Sequence, residues 1–230
     1  MEIGKTVVLL GPPGSGKGTQ ANMLEQIGYH PISAGNLLRR EVNSGTTLGQ
    51  SIEKLLANGE LVQDEITASL VDSAFDKLSL DDPVVLEGFP RTARQVELLN
   101  EVLESHGRSI TTVFNFICEE DVVIERLGGR WTCTICYTPY NVVSNPPEED
   151  GLCDHCSDGK LAQRPDDTGE GIKRRLELYH EETAQAISIL ETTTVFVNLP
   201  SNRDIKEIGE IIGLMVAPEI FIKNRVADGH

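Results

Sequence analysis

The sequence lacks any apolar run approaching the roughly 20 residues needed to cross a bilayer. Its start, Met1-Glu2-Ile3-Gly4-Lys5, has no charged stretch, long apolar stretch and cleavage site of the secretory kind. These absences make the cytoplasm the expected location and remove the membrane as an expected partner. Positive charge is also scarce, with 20 Lys and Arg against 36 Asp and Glu and a formal net charge of −16. Nucleic acids and anionic membranes reward basic surfaces, so nucleic acid is not an expected partner either. An acidic chain that handles a polyanionic ligand must gather its few cations in one place. No internal repeat, low-complexity tract, Ser-His-Asp set or paired catalytic carboxylate is evident.

What is present fits one full globular domain with room for small insertions: 230 residues, 39% hydrophobic and 24% charged. Short apolar runs at 6–10, 31–33, 84–87, 113–117 and 195–199 predict buried strands, continuous rather than alternating. Helix-length segments with 3.6-residue spacing separate them, such as 64–78 (Ile66, Leu70, Val71, Ala74, Phe75, Leu78) and 92–105. Asp64 and Glu65 place acid at the positive end of the helix they open. The alternation predicts an α/β fold, a parallel five-stranded sheet with helices on both faces. Two stretches break the rhythm. Residues 33–62 read as a helical insert, and residues 129–167 carry four cysteines and no helical period. The core is therefore expected from 1–32, 63–128 and 168–230, with 129–167 a small subdomain held by something other than apolar packing.

The first strand runs into Gly11-Pro12-Pro13-Gly14-Ser15-Gly16-Lys17-Gly18-Thr19, which opens a helix. Glycines let successive backbone N–H groups turn inward around a phosphate without a Cβ in the way. The helix directs its positive end at the same anion, and Lys17 can reach the β and γ oxygens. Gly14, Ser15, Gly16, Lys17, Gly18 and Thr19 are thus candidate phosphate ligands of a P-loop. Gly18 stands where the general pattern has Ser or Thr, with Thr19 one place later. That Gly-Lys-Gly-Thr form resembles nucleoside monophosphate kinases rather than GTPases, and no Asn-Lys-x-Asp base-reading motif accompanies it.

A second set follows: Ser33-Ala34-Gly35-Asn36-Leu37-Leu38-Arg39 after the second strand, Gly59-Glu60-Leu61-Val62, and Glu87-Gly88-Phe89-Pro90-Arg91-Thr92 with Gln95. With the P-loop, these residues make the chain similar to adenylate kinases, from the P-loop to about Arg175. The resemblance implies reversible transfer of a phosphoryl group, ATP plus AMP giving two ADP, by a monomer. It implies that Ala34, Arg39, Glu60, Leu61, Val62, Gly88, Phe89, Pro90, Arg91 and Gln95 bind AMP, with 33–62 as the AMP-binding insert. An amide such as Gln95 suits the donor–acceptor edge of adenine, whereas relatives that use UMP or CMP resemble the pattern with Asn in this region. A pyrimidine monophosphate kinase is therefore the alternative, and a nucleotide-sensing zinc ribbon without catalysis is a second. Two residues depart from the family's commonest pattern. Ala34 replaces a hydroxyl residue, and Glu87 replaces an Asp near the waters of the Mg²⁺ that accompanies ATP.

Arg126, Arg130, Arg164 and Arg175 bracket the cysteine-rich stretch. By the resemblance, Arg126 and Arg130 serve ATP, Arg164 and Arg175 serve the AMP side, and these four with Lys17 and Arg91 are catalytic. Arg164 could instead pair with Asp166 or Asp167, which are expected to form an ion network with the arginines. The attacking group is a phosphate oxygen already anionic at neutral pH, so no general base is required. Catalysis reduces to positioning and charge stabilisation, for which guanidinium groups are suited.

Cys133-x₂-Cys136 and Cys153-x₂-Cys156 are two tight pairs whose thiolates can complete a tetrahedral Zn²⁺ site. Four protein ligands leave no open position, so this zinc is expected to be structural. His155, inside the second pair, is a poorer ligand because neighbouring side chains splay apart, and Cys118 is expected to be a reduced core thiol. The resemblance makes 129–167 a zinc-binding lid of the long-lid bacterial kind, with Pro139 and Tyr140 near ATP. The tail 218–230, with Ile220, Phe221 and Ile222, has no functional reading beyond packing on the core.

Overall fold

A computed structural model describes residues 4–220 apart from Ser157. The chain begins with strand β1 (Gly4–Leu10), helix α1 (Lys17–Glu25) and strand β2 (His30–Ser33), then three helices, α2 (Ala34–Asn43), α3 (Thr47–Ala57) and α4 (Asp64–Phe75). It continues with β3 (Val84–Glu87), α5 (Ala93–Ser105), β4 (Arg108–Ile117) and α6 (Glu120–Gly128). Three short strands follow, β5 (Arg130–Cys133), β6 (Pro139–Asn141) and β7 (Leu161–Ala162). A 3₁₀ turn (Pro165–Asp167) leads into α7 (Gly169–Leu178), which a π-helical segment (Tyr179–Thr183) joins to α8 (Ala184–Thr193). Strand β8 (Phe196–Pro200) and helix α9 (Ile205–Val216) complete the described chain.

Five strands form one parallel sheet in the order β2-β3-β1-β4-β8. Successive side chains of a strand point to opposite faces, and in β1 both faces are apolar. Val8 and Leu10 pack with Phe75, Leu99 and Leu190 from α4, α5 and α8. Val7 and Leu9 pack with Leu24 and Ile212 from α1 and α9. Burial on both sides is why the strands read as unbroken apolar runs rather than alternating ones. A second sheet, β6-β5-β7, is antiparallel and lies within residues 129–167.

The strand expected at 113–117 is longer in the fold, because β4 starts at Arg108. Its first residues pair with β1 from Gly4 onward, with a register shift between Thr6 and Val7. Backbone pairing there outweighs a polar side-chain pattern, and buried Arg108 satisfies its charge on the carbonyl of Asp82 at 2.8 Å. Helix α4 ends at Phe75 rather than 78, while Thr92 caps α5 by accepting the Gln95 N–H. Of the tail, Ile220 packs on the second face of the sheet, and 221–230, with Phe221 and Ile222, lie outside the described residues. Among the described residues no helix is long and apolar enough to cross a membrane. The carboxyl ends of the parallel strands deliver the P-loop, Ser33, Glu87, Cys118 and Ser201 to one edge, where open α/β sheets bind ligands.

Candidate functional site

The loop after β1 turns through left-handed glycines, Gly11 at φ 134°, Gly14 at 75° and Gly16 at 97°. A Cβ on Gly11 would sit 2.6 Å from the Phe116 carbonyl, so the loop can cross the sheet edge only as glycine. Gly16 caps α1 with no side-chain hydrogen bond to the helix N–H groups, and the first turn holds no acid. Those N–H groups and the helix dipole are left for an anion. Lys17 bends back over the loop, donating to the carbonyls of Gly11 (2.8 Å) and Pro12 (2.7 Å) and to Ser15 Oγ (3.2 Å). Its removal from water lowers its pKa to about 7, with Arg91, Arg175 and Arg130 adding to the fall and Glu87 opposing it.

Across the cleft, Ser33 ends β2 and caps α2, while its hydroxyl donates to the Glu87 carboxylate at the end of β3. Burial alone would raise the Glu87 pKa, but Lys17, the Ser33 hydroxyl, Arg39 and Arg91 together hold it below the usual range. Arg91 leaves β3 through left-handed Gly88 and donates Nε to the Gly88 carbonyl at 3.0 Å. Gln95 is buried on α5. Its Oε1 accepts the Arg91 N–H at 2.7 Å and its Nε2 donates to Asp64 Oδ1 at 2.8 Å. One N–H and one lone pair of the amide remain for a ligand. The Phe89 side chain is wholly buried in the core, and Val62 packs in the cluster of α2, α3 and α4. These two can therefore meet a ligand mainly through the backbone. Gly59 (φ 74°) lets residues 59–62 approach α7, since a Cβ there would lie 2.8 Å from Arg175 Cγ.

All seven cations singled out from the sequence, Lys17, Arg39, Arg91, Arg126, Arg130, Arg164 and Arg175, line one cleft of about 1350 Å³. Asp167, on the 3₁₀ turn, accepts two bonds from Arg130 (2.7 and 2.6 Å) and one from Arg175 (2.8 Å). Asp166 pairs with Arg175 at 3.0 Å. The expected ion network therefore exists, but Arg164 bonds Thr132 Oγ1 at 3.0 Å rather than either aspartate. Burial beside Arg130 and Arg39 pushes the Arg164 pKa well down. Arg39 is lowered to about 10, mainly by burial, and its Nε lacks a partner. Arg126 donates to the Ser201 carbonyl at 2.8 Å. The cleft concentrates positive charge in a low-dielectric space and is short of anions.

The four cysteine sulfurs of 133, 136, 153 and 156 lie within 4.8 Å of one another. Pairs stand 3.5, 3.6 and 3.7 Å apart. A tetrahedral ion with metal–sulfur bonds of about 2.3 Å needs edges of about 3.8 Å, close to these separations, so the set can hold a metal. Backbone N–H groups of Ile135 and Cys136 point at Cys133 Sγ, and that of His155 at Cys153 Sγ, each at 3.4 Å, as thiolates require. Tyr140 is turned inward, its hydroxyl accepting from the Asp154 N–H at 2.8 Å, so its side chain belongs to this cluster. Cys118 is half-buried beside Val123 and Leu127, with Sγ 4.0 Å from an Arg126 nitrogen, and is less enclosed than a core thiol.

Several participants carried no sequence signal for their role. Asp64 reads only as a helix-start acid, yet it fixes the Gln95 amide and also accepts from Thr92 Oγ1 at 3.0 Å. Ser33 and Thr132 are ordinary hydroxyls until the fold sets them against Glu87 and Arg164. Gly159 matters by its lack of a Cβ, which would fall 2.4 Å from Cys133 Sγ and 2.6 Å from Cys156 Sγ.

With this geometry established, similarity to known proteins is informative. The family model for adenylate kinase matches residues 9–195. An adenylate kinase of Syntrophomonas wolfei is 40% identical over 198 residues, covering 86% of this chain and 92% of that protein. Those of Caldanaerobacter subterraneus and Bacillus subtilis are each 37% identical, over 207 residues (90% of this chain, 93% of that one) and 203 residues (88% and 93%).

Removing the carboxylate that neutralises two arginines should be costly. Asp167→Ala leaves Arg130 and Arg175 buried without it, and breaking a buried pair costs about 3–5 kcal/mol. Urea unfolding should show a loss of that order, whereas a loss under 1 kcal/mol would mean that water replaces the carboxylate.

Proposed function

Since this chain belongs to the adenylate kinase family, we propose that its cleft binds ATP on the P-loop side and AMP on the side of α2, Arg91 and Gln95. The enzyme is an ATP:AMP phosphotransferase, interconverting ATP and AMP with two ADP. The observation that carries the assignment of residues is the convergence of seven cations on one cleft in a chain of net charge −16. In this reading the α1 N-terminus and residues 14–19 cradle the ATP phosphates, and Lys17 exchanges its loop carbonyls for β and γ oxygens. Arg126, Arg130 and the backbone at Pro139 and Tyr140 hold the rest of ATP. Arg39 and Arg91 take the AMP phosphate, Gln95 meets adenine with its free N–H and lone pair, and Glu60, Leu61 and Val62 line the base with Ala34 and the Gly88–Pro90 backbone.

A phosphate oxygen of AMP then attacks the γ-phosphorus in line with the leaving ADP, with no proton to remove. Arg91, Arg164 and Arg175 meet the charge that spreads over the transferring oxygens, a class of contact worth about 10³–10⁵ in rate. Glu87 is the carboxylate placed to hold the waters of a Mg²⁺, which would supply charge neutralisation on the ATP phosphates. The four cysteines hold a structural Zn²⁺ in a lid of residues 129–167. The insert is 33–62 and the rest is core. Every group the reaction needs comes from a single chain, which supports a monomer, and reduced thiolates support a cytoplasmic setting.

Three outcomes test this. A coupled assay with ATP should give AMP a kcat/KM at least tenfold above UMP or CMP, and comparable values would make the enzyme a pyrimidine monophosphate kinase. Arg91→Ala should lose about 10²–10³-fold in kcat with unchanged circular dichroism. Purified protein should contain one zinc per chain. Chelation should lower the thermal midpoint and speed hydrogen exchange in 129–167 while the parallel sheet stays protected. Protein prepared under reducing conditions without zinc would refute the metal.

The Lys17 pKa adds a pH signature. Free Lys17 titrates near 7 and its phosphate-bound form well above, so between those values ATP binding must take up a proton. Affinity should therefore fall as pH rises above about 7. Calorimetry at about pH 8 in two buffers of different ionisation enthalpy should show uptake approaching one proton, absent in Lys17→Met.

A further inference from the structure

Tyr137 follows the ligand Cys136 and precedes β6, and it is the one non-glycine residue with positive φ (63°) among the described residues. An L side chain enters that region only at a cost, and a bulky aromatic has no local hydrogen bond to offset it. Strain of this kind persists where surroundings over-determine it and clusters at working sites. The surroundings here are not those of its own subdomain, whose packed cluster is Cys133, Cys136, Tyr140, Cys153, Cys156 and Leu161. Tyr137 is nonetheless only 7% exposed, because it is pressed against α2. Its hydroxyl accepts from Asn43 Nδ2 at 2.6 Å, and the guanidinium carbons of Arg39 and Arg40 each lie 5.9 Å from its ring centre. Arg39 is thus fixed on one side by Asn36 Oδ1, at 2.6 Å, and bordered on the other by an aromatic ring, with its buried Nε left unpaired.

We propose that Tyr137 is a positioning residue that completes the AMP site from the lid. When the lid closes over ATP, the Tyr137 ring seats the Arg39 guanidinium and the Asn43 bond locks the lid to the insert. The acceptor's arginine is then aligned only once the donor is enclosed. By linkage, ATP binding tightens AMP binding through this contact, and AMP tightens ATP by the same factor. The inference rests on the assignment of the α2 side to AMP.

Calorimetric titration with AMP, with and without a non-hydrolysable ATP analogue, tests it on the zinc-loaded enzyme. Wild type should bind AMP more tightly with the analogue. Tyr137→Phe, which removes only the hydroxyl, should reduce that tightening about two- to tenfold, the range of one net hydrogen bond, and Asn43→Ala should match it without adding to it in the double variant. Tyr137→Gly should abolish most of the tightening while keeping its zinc, because glycine adopts φ 63° freely. Undiminished tightening in all three variants would overturn the proposal. So would loss of zinc in Tyr137→Gly, which would make the residue a prop of the lid itself. Failure of wild type to bind AMP at all would instead refute the acceptor-site assignment.

Discussion

Like charges held in a dry cleft repel one another, and the arrangement of this protein follows from making that tolerable. Lys17, Arg39, Arg91 and Arg164 all have pKa values pulled down by lost hydration, with cationic neighbours adding to the fall. The carboxylates of Glu87, Asp166 and Asp167 offset only part of the charge, and those of the last two are engaged by Arg130 and Arg175. The deficit is what makes the cleft selective for polyanions in a protein whose overall charge would otherwise repel them. The cations also come from different elements. The P-loop, α2, the end of β3, α6, the small sheet with the turn after it, and α7 each contribute one or two.

Residues 129–167 meet a different problem. Fewer than about 40 residues with little apolar content cannot bury enough surface to hold a shape. The sulfur cluster supplies the missing order at one end, and the Arg130–Asp167 pair joins the two ends of the segment to each other. Between them the sheet β6-β5-β7 presents Arg130 and Thr132, and through Thr132 it sets the direction of Arg164. The four cysteines that can hold a metal therefore reach the cleft through this small sheet. The cation–π and hydrogen-bond contacts of Tyr137 then carry that sheet's position across to the acceptor side.

Most of the architecture was legible because its signals are local. Continuous apolar runs require burial on both faces, a Gly-rich turn with Lys17 opens the helix after the first strand, and two Cys-x₂-Cys pairs bring four sulfurs together. The start of β4 was not legible, since Arg108, Ser109 and Thr111 carry no apolar pattern and join the sheet only because β1 offers a backbone to pair with. The roles of Asp64 and Ser33 were invisible for a related reason. A carboxylate or hydroxyl declares its function only through its partner, and Gln95 and Glu87 lie 31 and 54 positions away in sequence.

The chain's sequence by itself determined the order of elements, the phosphate loop, the cysteine cluster and the identity of the cations, because each depends on neighbours within a few residues. Tertiary structure alone decided which cations share a carboxylate and which turns to a hydroxyl. Arg130 and Arg175 share Asp167, whereas Arg164, two and three positions from the aspartates in sequence, turns to Thr132. It likewise decided that Tyr140 faces the sulfurs and that Tyr137 crosses to α2. Those outcomes depend on the direction of a side chain in three dimensions, set by a backbone angle and by what has been folded against it, and residue spacing does not encode that.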